Sequence, residues 1–291
     1  MSQTILITGA PSGIGRDAAL YLASRGHRVI GAGRNERALA ELREAGVHGV
    51  RMDVTDPASI AACAREVDRI TDGYGLDVLV NNAGYGLFGP LEILSDEDVR
   101  AQFETNVFGL LAVTRTFLPK MRERGAGKVL NVSSVGGRMT FPLGGAYNAT
   151  KYAVESMSDA LRMEVAQFGI SVVLIEPGYI KTGFTGTTVD LAQGYHDESS
   201  PYANALALVS SAESSLERFA ASPRSVSKAM ERAIRARRPR ARYVAPWINA
   251  FGPWMTYLLP TGLLDWIFAR AAGLRSAPSA PAQEGNAAMR R

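Results

Sequence analysis

Short apolar runs alternate with helix-like runs along most of the sequence, and this alternation constrains the fold more than any other feature. Strands are predicted in the runs TILITGA, HRVIGAGR, GVRMDVTD, LDVLVNNAG, KVLNVSS, ISVVLIEPG and RYVAP. Helical spacing is found between these runs, as in GIGRDAALYLASRG. Such alternation is typical of βαβ units with parallel strands. We therefore predict an α/β fold, a doubly wound parallel sheet of about seven strands with helices on both faces. Ligands should bind at the carboxyl ends of its strands.

Residues 1–275 are predicted to form a single domain. Within it, residues 188–223 are rich in Ser, Ala and Gly and have weak helical periodicity. We expect this segment to cover a substrate pocket, and a passive surface insertion is the alternative. An apolar C-terminal extension occupies residues 243–275. The tail at residues 276–291 has the composition of a disordered segment.

Cysteine and charge exclude several classes of protein. The single cysteine, Cys63, rules out an internal disulfide framework and suits a reducing, cytoplasmic location. No spacing of the three histidines resembles a zinc site, so no metal is expected. The N-terminus lacks the features of a signal peptide, and no apolar stretch is long enough to span a membrane. Eight Lys/Arg between Arg224 and Arg242 account for much of the basic pI of 9.3. A solvated helix face is favoured there over an anionic partner, and no nucleic-acid partner is expected.

A glycine-rich run joins the first predicted strand to the first predicted helix. Glycine permits a tight turn and lets a pyrophosphate approach backbone N–H groups at a helix N-terminus. Because strand, turn and helix occur in order, the run predicts a dinucleotide site. Its candidate cofactor-binding residues are Gly9, Ser12, Gly13, Ile14 and Gly15.

The end of the second strand bears on which dinucleotide binds. NAD sites usually place an acidic residue there, whereas this chain has Gly33–Arg34 and no carboxylate. The planar guanidinium of Arg34 suits a 2′-phosphate, so NADP(H) is favoured over NAD(H). Arg16 either assists Arg34 in binding the 2′-phosphate or faces solvent. Asp53, followed by Val54, is a candidate for the adenine end, and a simple turn residue is the alternative for Asp53.

Tyr147 and Lys151 are four residues apart in a predicted helix, and Ser134 lies thirteen residues before Tyr147. Residues at this spacing share one helical face. Lowering a tyrosine pKa from ~10 to ~7 requires roughly 4 kcal/mol. A unit charge at ~4 Å in an effective dielectric of ~20 supplies about that much. Desolvation opposes the shift, so a second positive charge, such as an oxidised nicotinamide ring, would help.

These motifs together resemble the short-chain dehydrogenase/reductase family, whose members have a Rossmann fold. The resemblance includes TGAPSGIG, NNAG at Asn81–Gly84, YNATK at Tyr147–Lys151 and EPG at Glu176–Gly178. It extends from residue 4 to about residue 185. The family often has Ser or Ala where Pro11 stands here.

The resemblance implies roles for individual residues. Tyr147 would be the catalytic acid/base, Lys151 would lower its pKa and hold the nicotinamide ribose, and Ser134 would bind the substrate oxygen. Asn106 would order a helix kink and a chain of water molecules. The remaining residues would contact the cofactor, namely Asn81, Ala83, Gly84, Pro177, Gly178, Ile180 and Thr182.

The substrate pocket is expected to be apolar because its predicted lining residues are Met139, Phe141, Leu143 and Phe184. The C-terminal extension resembles, more loosely, the tails of 17β-hydroxysteroid and retinol dehydrogenases. Four interpretations of its apolar residues stay open: core packing, a wall for a lipophilic substrate, a subunit contact and shallow membrane attachment. Core packing is the first expectation for any one of them.

The sequence therefore predicts an NADP(H)-dependent oxidoreductase that interconverts a carbonyl and an alcohol on a lipophilic substrate. A 3-oxoacyl-thioester reductase and a non-catalytic NADP-binding regulator are the alternatives. A homo-oligomer is expected from the family, and peripheral contact with a membrane is a further expectation.

Overall fold

The computed structural model describes residues 2–182, 200–208 and 220–274. At its centre is one sheet of seven strands in the order β3-β2-β1-β4-β5-β6-β7. Every pair of neighbouring strands is parallel. The strands are β1 Thr4–Thr8, β2 Arg28–Gly33, β3 His48–Arg51, β4 Val78–Asn81, β5 Gly127–Val132, β6 Ile170–Pro177 and β7 Arg242–Ala245. The predicted fold class is confirmed.

Helices connect the strands and lie on both faces of the sheet. They are α1 Gly13–Ser24, α2 Glu36–Glu44, α3 Pro57–Ile70, α4 Asp96–Phe103, α5 Leu110–Arg124, α6 Gly145–Val165, α7 Pro223–Arg235, α8 Phe251–Leu258 and α9 Thr261–Ala271. Short 3₁₀ turns occupy Val135–Gly137, Ala166–Phe168 and Trp247–Ala250. Residues 203–208 are also helical.

Alternate residues of the central strands enter two separate cores. Ile5 and Ile7 of β1 face α1 and α7, and Leu6 faces α3 and α5. All three side chains are fully buried. Cys63 of α3 packs in the second core, where burial raises its pKa to about 12. Cys63 is therefore a buried packing residue.

The chain reverses direction across the sheet between β1 and β4. Those two strands are neighbours, with Ile7 opposite Val80, although three helices and two strands separate them in sequence. In a doubly wound sheet the connections at such a point leave in opposite directions and open a crevice. The predicted glycine turn and NNAG segment both lie at this edge, since they follow β1 and β4.

The helical segment between β4 and β5 is interrupted. A π-helical stretch, Glu104–Gly109, separates α4 from α5. Single π turns inside α-helices are frequent at functional sites. This one buries Asn106, and it packs Gly109 so closely that a Cβ there would lie 2.8 Å from the Val54 carbonyl oxygen. This π turn lies at Asn106, where the family resemblance implied a helix kink.

The C-terminal extension is largely exposed. Large apolar side chains project from it at 44–80% exposure, namely Trp247, Ile248, Phe251, Trp254, Tyr257, Leu258, Leu263 and Trp266. Core packing is wrong for these residues, because α8 and α9 form an outer layer that no further element covers in the described part of the chain.

The basic run and this apolar surface lie at opposite ends of β7. The run precedes the strand and the extension follows it. Several of the basic side chains are paired with acids: Arg224 with Asp17, Arg235 with Glu231, and Arg242 with Glu155. The described residues include no helix both long and apolar enough to cross a lipid bilayer. Phe184, most of the expected cover at 188–223 and the tail at 276–291 lie outside the described residues.

Candidate active site

Ser134, Tyr147 and Lys151 converge where β5 and α6 meet. Ser134 follows β5, and the other two residues lie on the first turns of α6. The Ser134 hydroxyl hydrogen-bonds to the phenol of Tyr147. Lys151 Nζ lies 5.8 Å from the Tyr147 ring centroid and donates to the Val132 carbonyl oxygen at 3.0 Å. The three predicted catalytic side chains are therefore neighbours.

Burial sets the charge states of this pair. Burial raises the pKa of Tyr147 to about 12, although the hydrogen bond from Ser134 acts to lower it. Burial lowers the pKa of Lys151 to about 8, although the negative charge of Glu155 acts to raise it. The sequence argument expected the lysine to lower the tyrosine pKa, and that lowering is absent in the protein by itself. The reason is that desolvation outweighs the charge of an amine directed at a backbone carbonyl.

Asn106 connects the π turn to the catalytic helix. Its amide nitrogen donates to the Tyr85 carbonyl oxygen at 2.9 Å and to Thr150 Oγ1 at 3.1 Å. Thr150 in turn donates to the carbonyl oxygen of Tyr147 at 2.8 Å. A Cβ on Gly84 would lie 2.8 Å from Asn106 Oδ1 and 3.7 Å from Lys151 Nζ. Asn106 and Gly84 thus lie beside the lysine, and Thr150 is a link that the sequence argument missed.

The first turn has the geometry that a pyrophosphate requires. Gly9 and Gly13 have φ values of +68° and +53°, which favour glycine. A Cβ on Gly15 would overlap the Gly9 carbonyl. Ser12 caps α1 without a side-chain hydrogen bond, so the first N–H groups of the helix, including that of Ile14, have no side-chain acceptor from the cap. Thr182 lies across the turn, 3.5 Å from where a Gly13 Cβ would stand.

Two polar residues hold this turn and were absent from the predicted set. The Asn82 amide donates to the Thr8 carbonyl oxygen at 2.9 Å. Thr8 Oγ1 accepts from the backbone N–H groups of Asn82 and Ala83 at 3.0 and 2.9 Å. The ends of β1 and β4 are thereby fixed to each other. The position of Asn82 inside the NNAG motif was the sequence feature that could have identified it.

Asn81 has a different environment from the rest of its motif. Its amide nitrogen donates to Thr114 Oγ1 at 2.8 Å and to Asn131 Oδ1 at 2.9 Å. The side chain is buried between β4, α5 and β5. Ala83 and Gly84, by contrast, lie at the open end of the strand. Asn81 therefore supports the site from within the sheet.

At the far end of the crevice, Arg34 and Asp53 follow β2 and β3. Arg34 is 78% exposed, and its guanidinium lies 3.7 Å from the Asp53 carboxylate. Burial raises the pKa of Asp53, but hydrogen bonds from Thr55 and the charge of Arg34 outweigh it and hold the pKa below its usual value. Val54 is buried against the π turn. Arg16 pairs with Glu41 at 3.0 Å and so is already engaged.

Aromatic side chains form the wall next to the phenol. The Phe88 ring makes edge contacts with Tyr147, at 5.4 Å between centroids, and with Phe141, at 6.0 Å. Leu143 has a φ of +63°, and its carbonyl accepts from the Gly89 N–H at 2.7 Å, which ties the two loops together. Phe88 was missed by the sequence argument, although it lies in the loop directly after the NNAG motif.

The C-terminal extension forms the other wall. A Cβ on Gly252 would lie 2.8 Å from Met139 Sδ, so the start of α8 covers that residue. Gly178 N–H donates to the Ala245 carbonyl at 3.0 Å. Pro177, the last residue of β6, accepts from Ser134 Oγ at 3.4 Å. Ile180 is buried and bridges to Ala221 beyond it.

Comparison with known proteins assigns this arrangement to a family. The sequence model of the family described as short chain dehydrogenase matches residues 3–191. The chain belongs to the short-chain dehydrogenase family. It is therefore an oxidoreductase of a family that acts on CH–OH groups and uses nicotinamide cofactors.

Individual relatives cover nearly the whole dehydrogenase. An NADPH-dependent 3-dehydrocapnine reductase from Ornithobacterium rhinotracheale is 34% identical over 271 residues, covering 90% of this chain and 95% of that protein. Human retinol dehydrogenase 16 is 37% identical over 276 residues, with coverages of 90% and 86%. A short chain dehydrogenase/reductase from Burkholderia phymatum, solved with NAD, superposes with a TM-score of 0.75 at 27% identity. Its coverages are 96% of this chain and 97% of that one.

A buried charge cluster lies behind the catalytic helix of the dehydrogenase. Glu176 is fully buried, with Arg138 at 3.4 Å and Arg242 at 3.1 Å. Arg242 also pairs with Glu155, one helical turn beyond Lys151, at 3.0 Å. Burial and the neighbouring Glu155 carboxylate raise the pKa of Glu176 to about 7. The cluster borders a cleft of about 690 Å³ between α6 and α8.

Proposed function

We propose that this dehydrogenase is an NADP(H)-dependent reductase of lipophilic ketones or aldehydes. The observation that carries the proposal is the grouping of Ser134, Tyr147 and Lys151 beside an apolar wall, at the edge of the sheet where the glycine turn lies. The wall of Phe88, Phe141 and Leu143 suits an alkyl or ring substituent on the carbonyl carbon.

The residues divide the proton chemistry among them. A reduced nicotinamide, when bound, would supply the hydride for the carbonyl carbon. Tyr147 gives its hydroxyl proton to the carbonyl oxygen as the C=O π bond breaks, and Ser134 donates a hydrogen bond to the same oxygen. Lys151 lies one turn away and holds the cofactor ribose. A tyrosine pKa of about 12 keeps the phenol protonated at neutral pH, which favours the reductive direction.

Preference for NADP(H) rests on the end of β2. Arg34 is exposed there, and no carboxylate replaces it on that strand end. Its guanidinium is free to turn from Asp53 toward a 2′-phosphate, because a contact of 3.7 Å between exposed groups is weak. The Ornithobacterium relative is an NADPH-dependent reductase, which supports this choice, whereas the Burkholderia structure with NAD is a counter-example to it.

A substrate panel tests the proposal. Purified protein is mixed with NADPH or NADH and with long-chain ketones, steroid ketones, retinoid aldehydes or 3-oxoacyl thioesters, and loss of the reduced nicotinamide absorbance is followed. We expect NADPH oxidation with the lipophilic ketones and aldehydes. Oxidation only with thioesters would favour a 3-oxoacyl-thioester reductase. Cofactor binding without any oxidation would favour a regulator that binds NADP, and would contradict the proposal.

Two expectations about partners stay predictions, a homo-oligomer and peripheral contact of a cytoplasmic protein with a membrane. Sedimentation of the purified chain tests the first. Liposome co-sedimentation tests the second, with a variant in which Trp247, Phe251 and Trp254 are replaced by serine as the control. Absence of pelleting at low salt would contradict membrane contact.

A further inference from the structure

Glu155 is a buried acid one helical turn beyond Lys151. Both residues lie on α6, and they are 6% and 7% exposed. Side chains four residues apart on a helix are neighbours, with about 5–6 Å between their Cβ atoms. Because Lys151 Nζ donates to the Val132 carbonyl oxygen, the Glu155 carboxylate acts on the ammonium through its charge, and this charge acts to raise the pKa of Lys151.

The turn after β5 packs closely against the Glu155 side chain. A Cβ on Gly137 would lie 2.7 Å from Ser133 Oγ and 3.0 Å from Glu155 Cγ. The same Cβ would lie 3.0 Å from the carbonyl oxygen of Lys151. Glycine at this position therefore lets the turn approach α6, and the acid lies against the segment that carries the catalytic serine.

Arg242 fixes the carboxylate of Glu155. Its Nε lies 3.0 Å from Glu155 Oε2 and 3.1 Å from Glu176 Oε1. Burial raises the pKa of Glu155, although the Ser133 hydroxyl and Arg242 act to lower it. Glu176, whose pKa is raised to about 7, is the acid of this group that takes up a proton, which leaves the negative charge on Glu155.

Further polar groups face this pair from the neighbouring elements. Arg138, after the first 3₁₀ turn, lies 3.4 Å from Glu176 of β6 and 5.8 Å from the ring centroid of Tyr257 on α8. Asn106 of the π turn and the protonated phenol of Tyr147 lie on the side of the ammonium. Among the described residues, the carboxylate on α6 is therefore the charge beside an ammonium whose other neighbours are neutral.

We propose that Glu155 is a positioning residue of this active site, whose carboxylate keeps Lys151 in the ammonium form during carbonyl reduction. An ammonium has three N–H donors, and its charge strengthens the hydrogen bonds that it gives to a cofactor ribose. Burial by itself favours the neutral amine. The inference rests on the proposed carbonyl reduction and adds the group that sets its alkaline limit.

The pH dependence of kcat/KM for the carbonyl, measured at saturating NADPH, tests this role. Loss of a negative charge lowers the pKa of a neighbouring ammonium, so Glu155→Gln should lose activity at a pH lower by roughly one unit than wild type. Because the pKa of Lys151 is about 8, kcat/KM should be little changed at pH ~6 and reduced roughly fivefold at pH ~8. Glu155→Asp retains the charge and should restore most of the alkaline activity.

Asp159→Asn is the matched control. Asp159 pairs with the same arginine, Arg242, at 2.6 Å, but it lies a further helical turn from Lys151. This variant should keep the wild-type pH profile. The double variant Glu155→Gln/Arg242→Gln removes both partners of a buried ion pair, so neither is left as an uncompensated charge. It should show the same displacement of the profile, and it covers the case in which Glu155→Gln alone fails to fold.

NMR titration of isotope-labelled lysine measures the same charge without turnover. Lys151→Met assigns the Lys151 signal, which should titrate at lower pH in Glu155→Gln than in wild type. An unchanged titration, or an equal change in Asp159→Asn, would overturn the proposal. An equal loss of kcat/KM at every pH would assign Glu155 a structural role and also overturn it. Absence of reduction with every carbonyl would remove the proposed function, while the NMR titration would still decide whether Glu155 keeps the lysine charged.

Discussion

The Lys151 ammonium donates to the Val132 carbonyl oxygen at 3.0 Å, while the ring centroid of its neighbour Tyr147 lies 5.8 Å away. The amine is therefore placed by the end of β5 rather than by the phenol. In the protein by itself, burial governs both groups and moves the two pKa values toward the neutral forms.

Replacing Tyr147 by phenylalanine should abolish proton donation while preserving the edge contact with Phe88. We expect kcat to fall by roughly 10²- to 10⁴-fold, the usual contribution of general acid catalysis. NADPH affinity, measured by fluorescence titration, should change little. Tyr152→Phe is the control, because Tyr152 is 44% exposed on the same helix. Wild-type turnover by Tyr147→Phe would show that another group is the acid.

Titration of the phenol should depend on the cofactor. Because burial raises the pKa of Tyr147 to about 12, its phenolate should be absent from the cofactor-free protein below pH ~10. An oxidised nicotinamide adds positive charge and should lower that pKa. The measurement is the ultraviolet difference spectrum between wild type and Tyr147→Phe, with and without NADP⁺. A phenolate signal near neutral pH without cofactor would contradict the expectation.

Arg34→Asp should shift cofactor preference from NADP(H) toward NAD(H). Loss of a charge-assisted hydrogen bond to the 2′-phosphate costs about 1.5–3 kcal/mol, so kcat/KM for NADPH should fall by roughly 10- to 100-fold. Arg34→Ala separates this loss from repulsion by the new carboxylate. Arg16→Ala is the control, since Arg16 pairs with Glu41. Unchanged preference in both Arg34 variants would remove this residue from the 2′-phosphate site.

Glu176 should make stability depend on pH. Its pKa is raised from 4.5 to about 7 in the folded protein, so the folded state binds the extra proton between those values. The stabilisation this provides is complete below pH 4.5 and is lost as pH rises through 7. Glu176→Gln should therefore match wild type in thermal midpoint at low pH and exceed it by on the order of a few degrees above pH ~7. Exposed Glu164→Gln is the control, and parallel pH profiles for wild type and Glu176→Gln would contradict the expectation.

Close packing of Pro11 against Gly33 should show as coupling between the two positions. A Cβ on Gly33 would overlap Cδ and Cγ of the Pro11 ring. Gly33→Ala should lower the free energy of unfolding by ~1–3 kcal/mol, the usual cost of overpacking. Adding Pro11→Ala removes those ring atoms and should restore most of the loss. Chemical denaturation of the two single variants and the double variant measures this coupling, and strictly additive effects would contradict it.

The sequence was sufficient for the sheet and for much of the site, because both depend on local pattern. β-Branched runs ending in glycine marked the strands, and the spacing of Tyr147 and Lys151 placed them on one helical face. Phe88 and Asn82 were missed because their roles arise from contacts between segments distant in sequence. The ionisation of Tyr147 was also beyond the sequence, since desolvation depends on the packing around a group.

The first expectation for the C-terminal extension, core packing, failed at its exposed residues for a related reason. An apolar composition favours burial on average, but burial requires a partner surface. In the described residues, the start of α8 covers Met139, and the 3₁₀ turn before it lies against Gly178 at the end of β6. The face that bears Trp254 and Tyr257 is left outward.

The walls on the two sides of Ser134 come from segments that are far apart in the sequence. The proton-handling groups all precede residue 178, whereas Gly252, which packs on Met139, follows the last strand. Chimeras that exchange only the residues after Ala245 between relatives should therefore exchange substrate preference and leave the reaction unchanged. In such an arrangement, evolution can change the substrate by altering the C-terminal segment while the reaction itself is retained.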